Sequence, residues 1–151
     1  MTLESRVRPV VNDLDRVAEF CASVRGIFIR VLAVSKIGDV SGTCLWASIL
    51  LQQSLEKFGE CEAVVRGGEG YLDGGAIDPS GVWHGHYWVE GVSSGGAAFV
   101  VDIAADQFGW PPVVVMSIER ARERYRPGED RRTQETVDDE LGMMKERFAV
   151  S

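Results

Sequence analysis

The apolar residues of this chain change their period near Gly59, and that change restricts the fold more than any other feature of the sequence. Before Gly59 they recur at spacings of three and four; after it they alternate. From about Val11 to Leu32, the residues Leu14, Val17, Ala18, Cys21, Val24, Phe28 and Val31 fall on one helical face, with Gly26 as the point where the segment would divide. Ser35 to Thr43 is polar and turn-rich and reads as a loop. A second helix is predicted from Cys44 to Phe58, with Leu45, Ser48, Leu51, Leu55 and Phe58 on its apolar face. Ser41 or Thr43 caps its start and Gly59 ends it.

Beyond Gly59 the pattern predicts strands at Glu60–Arg66, Val82–Glu90, Ala97–Ala104 and Val113–Met116. Gly67 to Gly81 is rich in Gly, Asp and Pro and reads as a loop, flexible where Gly67, Gly68 and Gly70 cluster. Without a Lys-Ser/Thr pair and a following helix it is no phosphate loop. Gly91 to Gly96 joins two strands as a hairpin. The tail from Thr133 to Phe148 is a helix with Val137, Leu141, Met144 and Phe148 on one stripe. The 151 residues suit a single α+β domain over 1–151: N-terminal helices packed on a mainly antiparallel sheet, then a C-terminal helix.

Charge and cysteine usage narrow the function. A net charge of −7 argues against nucleic acid, which calls for a basic face. The densest basic stretch, Arg120 to Arg132, is interrupted by Glu123, Glu129 and Asp130 and reads as a solvated helix face. No apolar run reaches the ~18 residues of a membrane span, and the first residues lack the pattern of a secretory signal, so a cytoplasmic protein with no membrane partner is expected. The three cysteines, Cys21, Cys44 and Cys61, contain no CxxC pair and suggest neither a disulfide framework nor a structural zinc site. Cys21 lies on the apolar stripe of the first helix and is assigned to packing.

Cys44 is placed differently. It opens a helix after a glycine-containing loop, in Gly42-Thr43-Cys44-Leu45-Trp46, where free backbone N–H groups and the helix dipole favour a thiolate. His86 enters the apolar strand His86-Tyr87-Trp88-Val89-Glu90, and Asp102 lies inside the apolar strand Phe99-Val100-Val101-Asp102-Ile103. A buried carboxylate needs a partner. Across the hairpin His86 is in reach, so Asp102 would orient His86 and His86 would activate Cys44.

That order, a cysteine at a helix start, then His-x-Trp-Val-Glu, then an apolar strand carrying Asp, resembles the transglutaminase-like branch of papain-fold enzymes. The resemblance runs from about Ser41 to Phe108. It implies a papain-like (transglutaminase-like) fold with Cys44 as nucleophile, His86 as general base and acid, and Asp102 as the orienting residue. Asp102-Ile103-Ala104-Ala105-Asp106-Gln107-Phe108 is similar to the Asp-x-Thr stretch of bacterial members, with Ala104 in place of Thr. Papain carries an oxyanion-hole Gln six residues before its cysteine; Gly38 stands there in this chain. The Cys44 backbone N–H is the natural first oxyanion donor; the second is unassigned, with Gln107 a candidate from another position. Trp46 and His84 are further candidates for the substrate wall, His84 facing the same side of its strand as His86.

The expected activity is acyl transfer from an amide of a protein or peptide: a peptidase, an amidase, or a glutamine deamidase or transglutaminase, with hydrolysis favoured. No cofactor is implied. His84, His86, Cys44 and Asp102 are all competent zinc ligands, but an HxH pair without a further clustered ligand is a weak metal signal. The alternative from another class is a non-catalytic binding or regulatory module of the same fold. Glu90 and Asp106 are read as polar residues of strand and turn or as supports of the site.

Overall fold

The computed structural model describes residues 4–35, 43–70 and 73–149, with side chains over 13–35, 43–70 and 73–146. Gly38, Ser41 and Gly42 and the side chain of Phe148 lie outside the described residues. The first helix, α1 (Glu4–Val34), is longer than the periodic segment and runs unbroken through Gly26. It buries Val17, Cys21, Val24, Phe28 and Leu32. Val31, expected on this stripe, is exposed, because the spacing that holds Cys21, Val24 and Phe28 inward carries on to Leu32.

Helix α2 (Cys44–Phe58) has the predicted bounds. Thr43 is its N-cap residue and its carbonyl accepts from the Ala47 N–H at 3.0 Å; the side-chain cap expected of it is not made. Leu51 and Leu55 are buried with Ala47, Ser48 and Ile49, whereas Phe58 is 76 % exposed on the last turn. The Gly59 N–H closes the helix on the Leu55 and Ser54 carbonyls, and Glu60, at φ 56°, takes the left-handed turn into the sheet.

The strands are β1 (Glu62–Gly68), β2 (Gly75–Ile77), β3 (Trp83–His84), β4 (His86–Val92), β5 (Ala98–Asp102), β6 (Val114–Ser117) and β7 (Tyr125–Arg126). They form an antiparallel four-stranded sheet in the order β1-β4-β5-β6 and a small antiparallel sheet in the order β3-β2-β7. Alternation divides the main sheet into two faces. Val65, Val89, Phe99 and Val101 pack with Ile103 on α1 and α2, while Trp88, Val100 and Val114 pack on Ala76, Ala105, Ala121 and Tyr125. The molecule is thus an α+β fold, with helices covering one face of an antiparallel sheet and α3 (Ile118–Ala121), β7 and a short 3-10 turn covering the other.

Two expectations are corrected here. The single strand over Val82–Glu90 is two strands in different sheets, divided at Gly85. A Cβ at Gly85 would stand 2.6 Å from the Glu69 carbonyl oxygen, so the chain breaks its alternation where another backbone segment crosses it. The stretch Arg120–Arg132 is not one solvated helix: it passes from α3 through β7 to the start of α4 (Asp130–Ala149). Four of its six arginines make long-range contacts within the chain, Arg122 on Glu90, Arg124 over the Trp110 ring, Arg126 over Trp83 and Arg132 on Asp73.

The glycine-rich segment is likewise built into the fold. Side chains at Gly67, Gly68, Gly70, Gly74 and Gly75 would collide with backbone atoms of His86, Asp73, Gly85, Gly128 and His84 respectively, and one at Gly128 with Asp73. The loop after β1 is a seam of backbone packed on backbone, immediately before His86 in the sheet.

Candidate active site

The end of β4 nearest α2 gathers the titratable groups. Asp102, 2 % exposed at the end of β5, receives three donors: the Ala104 N–H on Oδ1 at 2.9 Å, His86 Nε2 on Oδ2 at 2.7 Å, and the Tyr125 hydroxyl on Oδ2 at 2.8 Å. This meets the requirement that a buried carboxylate be paired and hydrogen-bonded. The contact with His86 is diagonal: continuing the register Val89↔Val101 by one pair puts Trp88 opposite Asp102.

His86 is fully buried. Burial opposes its charged form, but the carboxylate of Asp102 and its hydrogen bond, with the bond and charge of Cys44, outweigh it and lift the imidazole to about 10. With Nε2 held by Asp102, Nδ1 faces the other way, 3.1 Å from the side-chain amide nitrogen of Gln107. In the neutral ring Nε2 donates to Asp102 and Nδ1 accepts from Gln107; in the imidazolium Nδ1 is a donor too.

Cys44 is the first residue of α2, with no acidic residue in that turn. Burial alone would raise its thiol. The hydrogen bond to His86 and the imidazolium charge, then the Tyr87 N–H and the Gln107 side chain, bring it below its ordinary value of 9.0. Cys21 behaves oppositely: burial, with the nearby Cys61, pushes its thiol up to about 12, and Cys61 is also raised, chiefly by burial. One of the three free thiols is therefore electrostatically activated and two are not.

Gln107 lies on the 3-10 turn Ala105–Phe108, whose position is set from α1. Arg25 donates to both carboxylate oxygens of Asp106, at 2.9 and 2.8 Å, and to the Ile103 carbonyl at 2.6 Å. Phe108, next along the turn, meets the His86 ring edge-on with centroids 4.9 Å apart. His84 stacks on the other side of Phe108 at 4.5 Å and pairs with Asp78 Oδ2 at 2.8 Å. It sits on β3, not on the strand of His86 as expected, and reaches the site only through Phe108. Trp46 donates its indole N–H to Glu140 on α4.

Glu90 is buried away from this cluster, accepting from Trp88 Nε1 at 3.0 Å and from both terminal nitrogens of Arg122 at 2.7 and 2.8 Å. Burial would raise its carboxyl, but these donors and Arg66 hold it below the ordinary value. Among the described residues no group of three or more His, Cys, Asp and Glu side chains could hold a metal ion, and no helix is long and apolar enough to cross a membrane.

The structure therefore brings Cys44, His86, Asp102 and Gln107 together, leaves His84 one ring removed, and ties Trp46 to α4. Sequence reasoning missed Tyr125, Arg25, Phe108 and the Tyr87 N–H. None of these carries a local signal in the sequence; Tyr125 lies in a two-residue strand among arginines. No family model matches the chain, and no curated protein or solved structure is significantly similar to it.

Proposed function

We propose that this protein is a thiol-dependent acyltransferase or hydrolase acting on an amide of a protein or peptide, on a papain-like (transglutaminase-like) arrangement of its α+β fold. The observation that carries the reading is the imidazole of His86, held by Asp102 on Nε2 with Gln107 at Nδ1, and near enough to Cys44 that thiol and ring shift each other toward the charged pair. Such a pair stores the nucleophile as a thiolate and the proton for the leaving group on the imidazolium.

In the acylation step the Cys44 sulfur attacks the carbonyl carbon, and the resulting oxyanion is met by the Cys44 backbone N–H and by Gln107 turned away from His86. The C–N bond breaks, the amine leaves with the proton from His86 Nδ1, and a thioester remains on Cys44. Water, deprotonated by the now neutral His86, releases a carboxylic acid and restores the thiol; a primary amine in its place gives a new amide. Asp102 fixes the ring so that Nδ1 faces the sulfur throughout. Three unpaired cysteines suit a reducing compartment such as the cytoplasm.

The test is to trap the thioester. The protein is incubated with a peptide-amide library, quenched in acid and read by mass spectrometry. An acyl adduct on Cys44, lost in Cys44→Ala and His86→Ala, is the expected result. If no peptide leaves an adduct and Cys44 is alkylated with an ordinary thiol profile, the reading is wrong.

A further inference from the structure

We propose that Tyr125 is a positioning residue of this site, a fourth member whose hydroxyl shares the Asp102 oxygen used by His86 and so limits how strongly Asp102 holds the imidazolium. The inference rests on the acyl-transfer reading and adds to it a control on the His86 proton.

Two donors converge on the oxygen that faces the imidazole, while the other oxygen serves the Ala104 N–H. A carboxylate that needed only to be satisfied in the core could be served by any donor; here the second donor is placed on the oxygen that faces the imidazole. Tyr125 is itself fully buried, and its ring completes a triangle with those of Trp88, at 5.0 Å, and His86, at 6.5 Å, which are themselves 6.2 Å apart. Pairing of β7 with Ala76 on β2 fixes its backbone. Burial, and then Asp102, hold the phenol far above its ordinary range, so the hydroxyl keeps its proton and stays a donor. Arg124, whose guanidinium stacks 3.5 Å above the Trp110 ring, bonds the same hydroxyl, the one polar atom of the tyrosine side chain. A polar chain thus runs from Arg124 through Tyr125 and Asp102 to His86 and Cys44.

The charged and titratable groups facing His86 are Cys44 from α2, Asp102 from β5, and Tyr125 from β7, with Arg124 just before β7 behind it; His84 stands across Phe108. Among these, the Tyr125 hydroxyl weakens the field of Asp102 without itself changing charge in the working range. Its removal leaves Asp102 a stronger acceptor for His86, so the imidazolium gains stability. A hydrogen bond to a charged group is strong enough to move a neighbouring pKa by about one unit.

The experiment is nuclear magnetic resonance titration of the imidazole side chains, assignable because the chain has only two histidines, in wild type and Tyr125→Phe. The His86 titration is expected to move up by about one pH unit in Tyr125→Phe, with the alkaline end of the Cys44–His86 coupling moving in step. As a second measurement that keeps the ring, the three tyrosines are replaced by 3-fluorotyrosine, a stronger donor, and His86 is expected to move down. A purely structural Tyr125 would lower the melting temperature and leave the titration in place. An unmoved His86 in the fluorinated protein, or in a folded Tyr125→Phe, overturns the proposal while the acyl-transfer reading stands. Wild-type His86 titrating near its ordinary 6.5 would instead overturn the acyl-transfer reading as well.

Discussion

Arg25 and Asp106 form a two-pronged ion pair that joins the middle of the first helix to the turn carrying Gln107. The guanidinium also holds the Ile103 carbonyl, so one side chain fixes both ends of the step from β5 into the 3-10 turn. Neither residue touches Cys44 through any bond described above. Their effect on chemistry is through the position of the Gln107 amide.

Replacing Arg25 with Met is therefore expected to lower stability by about 2 kcal/mol, since one member of a largely buried pair is left alone. Acyl-enzyme formation should slow by roughly 10-fold or more as Gln107 loses its register. The pH dependence of Cys44 alkylation should move only slightly upward, since Gln107 is the smallest of the contributions that lower the thiol. Thermal melts and rapid-quench mass spectrometry read the two effects separately.

The three thiols should separate cleanly under iodoacetamide. Cys44 is expected to label first, at pH values well below 9, and to slow in His86→Ala. Cys21, pushed up to about 12 and fully buried, should label only when the protein unfolds, with Cys61 protected to a lesser degree. Equal labelling of Cys21 and Cys44 in the native protein would contradict the arrangement described.

The activity should follow a bell in pH. Its rising side reports the thiolate of Cys44 forming below 9, and its falling side the loss of the His86 proton near 10. In Asp102→Asn the falling side should move down, because the carboxylate that raises His86 is gone. The rate should drop by about 10²- to 10⁴-fold. A pH series of kcat/KM on any substrate found by the trapping screen supplies the check.

Linkage gives the matching stability trend. The folded value of His86, about 10, lies above its unfolded 6.5, so folding takes up a proton across that interval. The contribution is complete below about pH 6.5 and is lost as pH rises through about 10. The unfolding free energy of wild type relative to His86→Gln should therefore be greatest at pH 6 and shrink towards pH 10 in urea melts. A difference that grows over that interval would reverse the sign.

Glu90 offers a contrast. Glu90→Gln breaks the paired contact with half-exposed Arg122 and leaves Arg66 with Asp130 alone, for a loss of about 2 kcal/mol. Its partners are Trp88, Arg122 and Arg66 and it is not among the groups that shift Cys44, which predicts an unchanged Cys44 alkylation profile. A shift in that profile would place Glu90 among the supports of the site.

The readable parts of this structure are those decided by local period. Helix α2 shows both its ends in sequence, since Cys44 follows a polar loop and Gly59 follows the last apolar residue. The hairpin of β4 and β5 is legible because Gly91 to Gly96 interrupts two alternating runs. Cys44, His86 and Asp102 stand out by chemistry, as polar groups in apolar company. What was illegible depends on distant neighbours. The division of Val82–Glu90 at Gly85 follows from the crossing Glu69 backbone, which no local pattern announces. Strand β7 is two residues long and set among arginines, too short to show a period, so Tyr125 was hidden with it. The exposed Phe58 and Val31 read as core because a helical stripe has soft edges, and only the partner surface decides where it stops.

The glycine seam has a consequence for how this protein would look in a saturation library. At Gly67, Gly70, Gly75, Gly85 and Gly128 every replacement drives a carbon into main-chain atoms that have no rotamer to yield. In an activity screen these positions would be as intolerant as Cys44 and His86. Cellular abundance separates the two kinds. Variants of the seam would vanish from the soluble fraction, whereas conservative changes at Cys44 would accumulate as folded, silent protein.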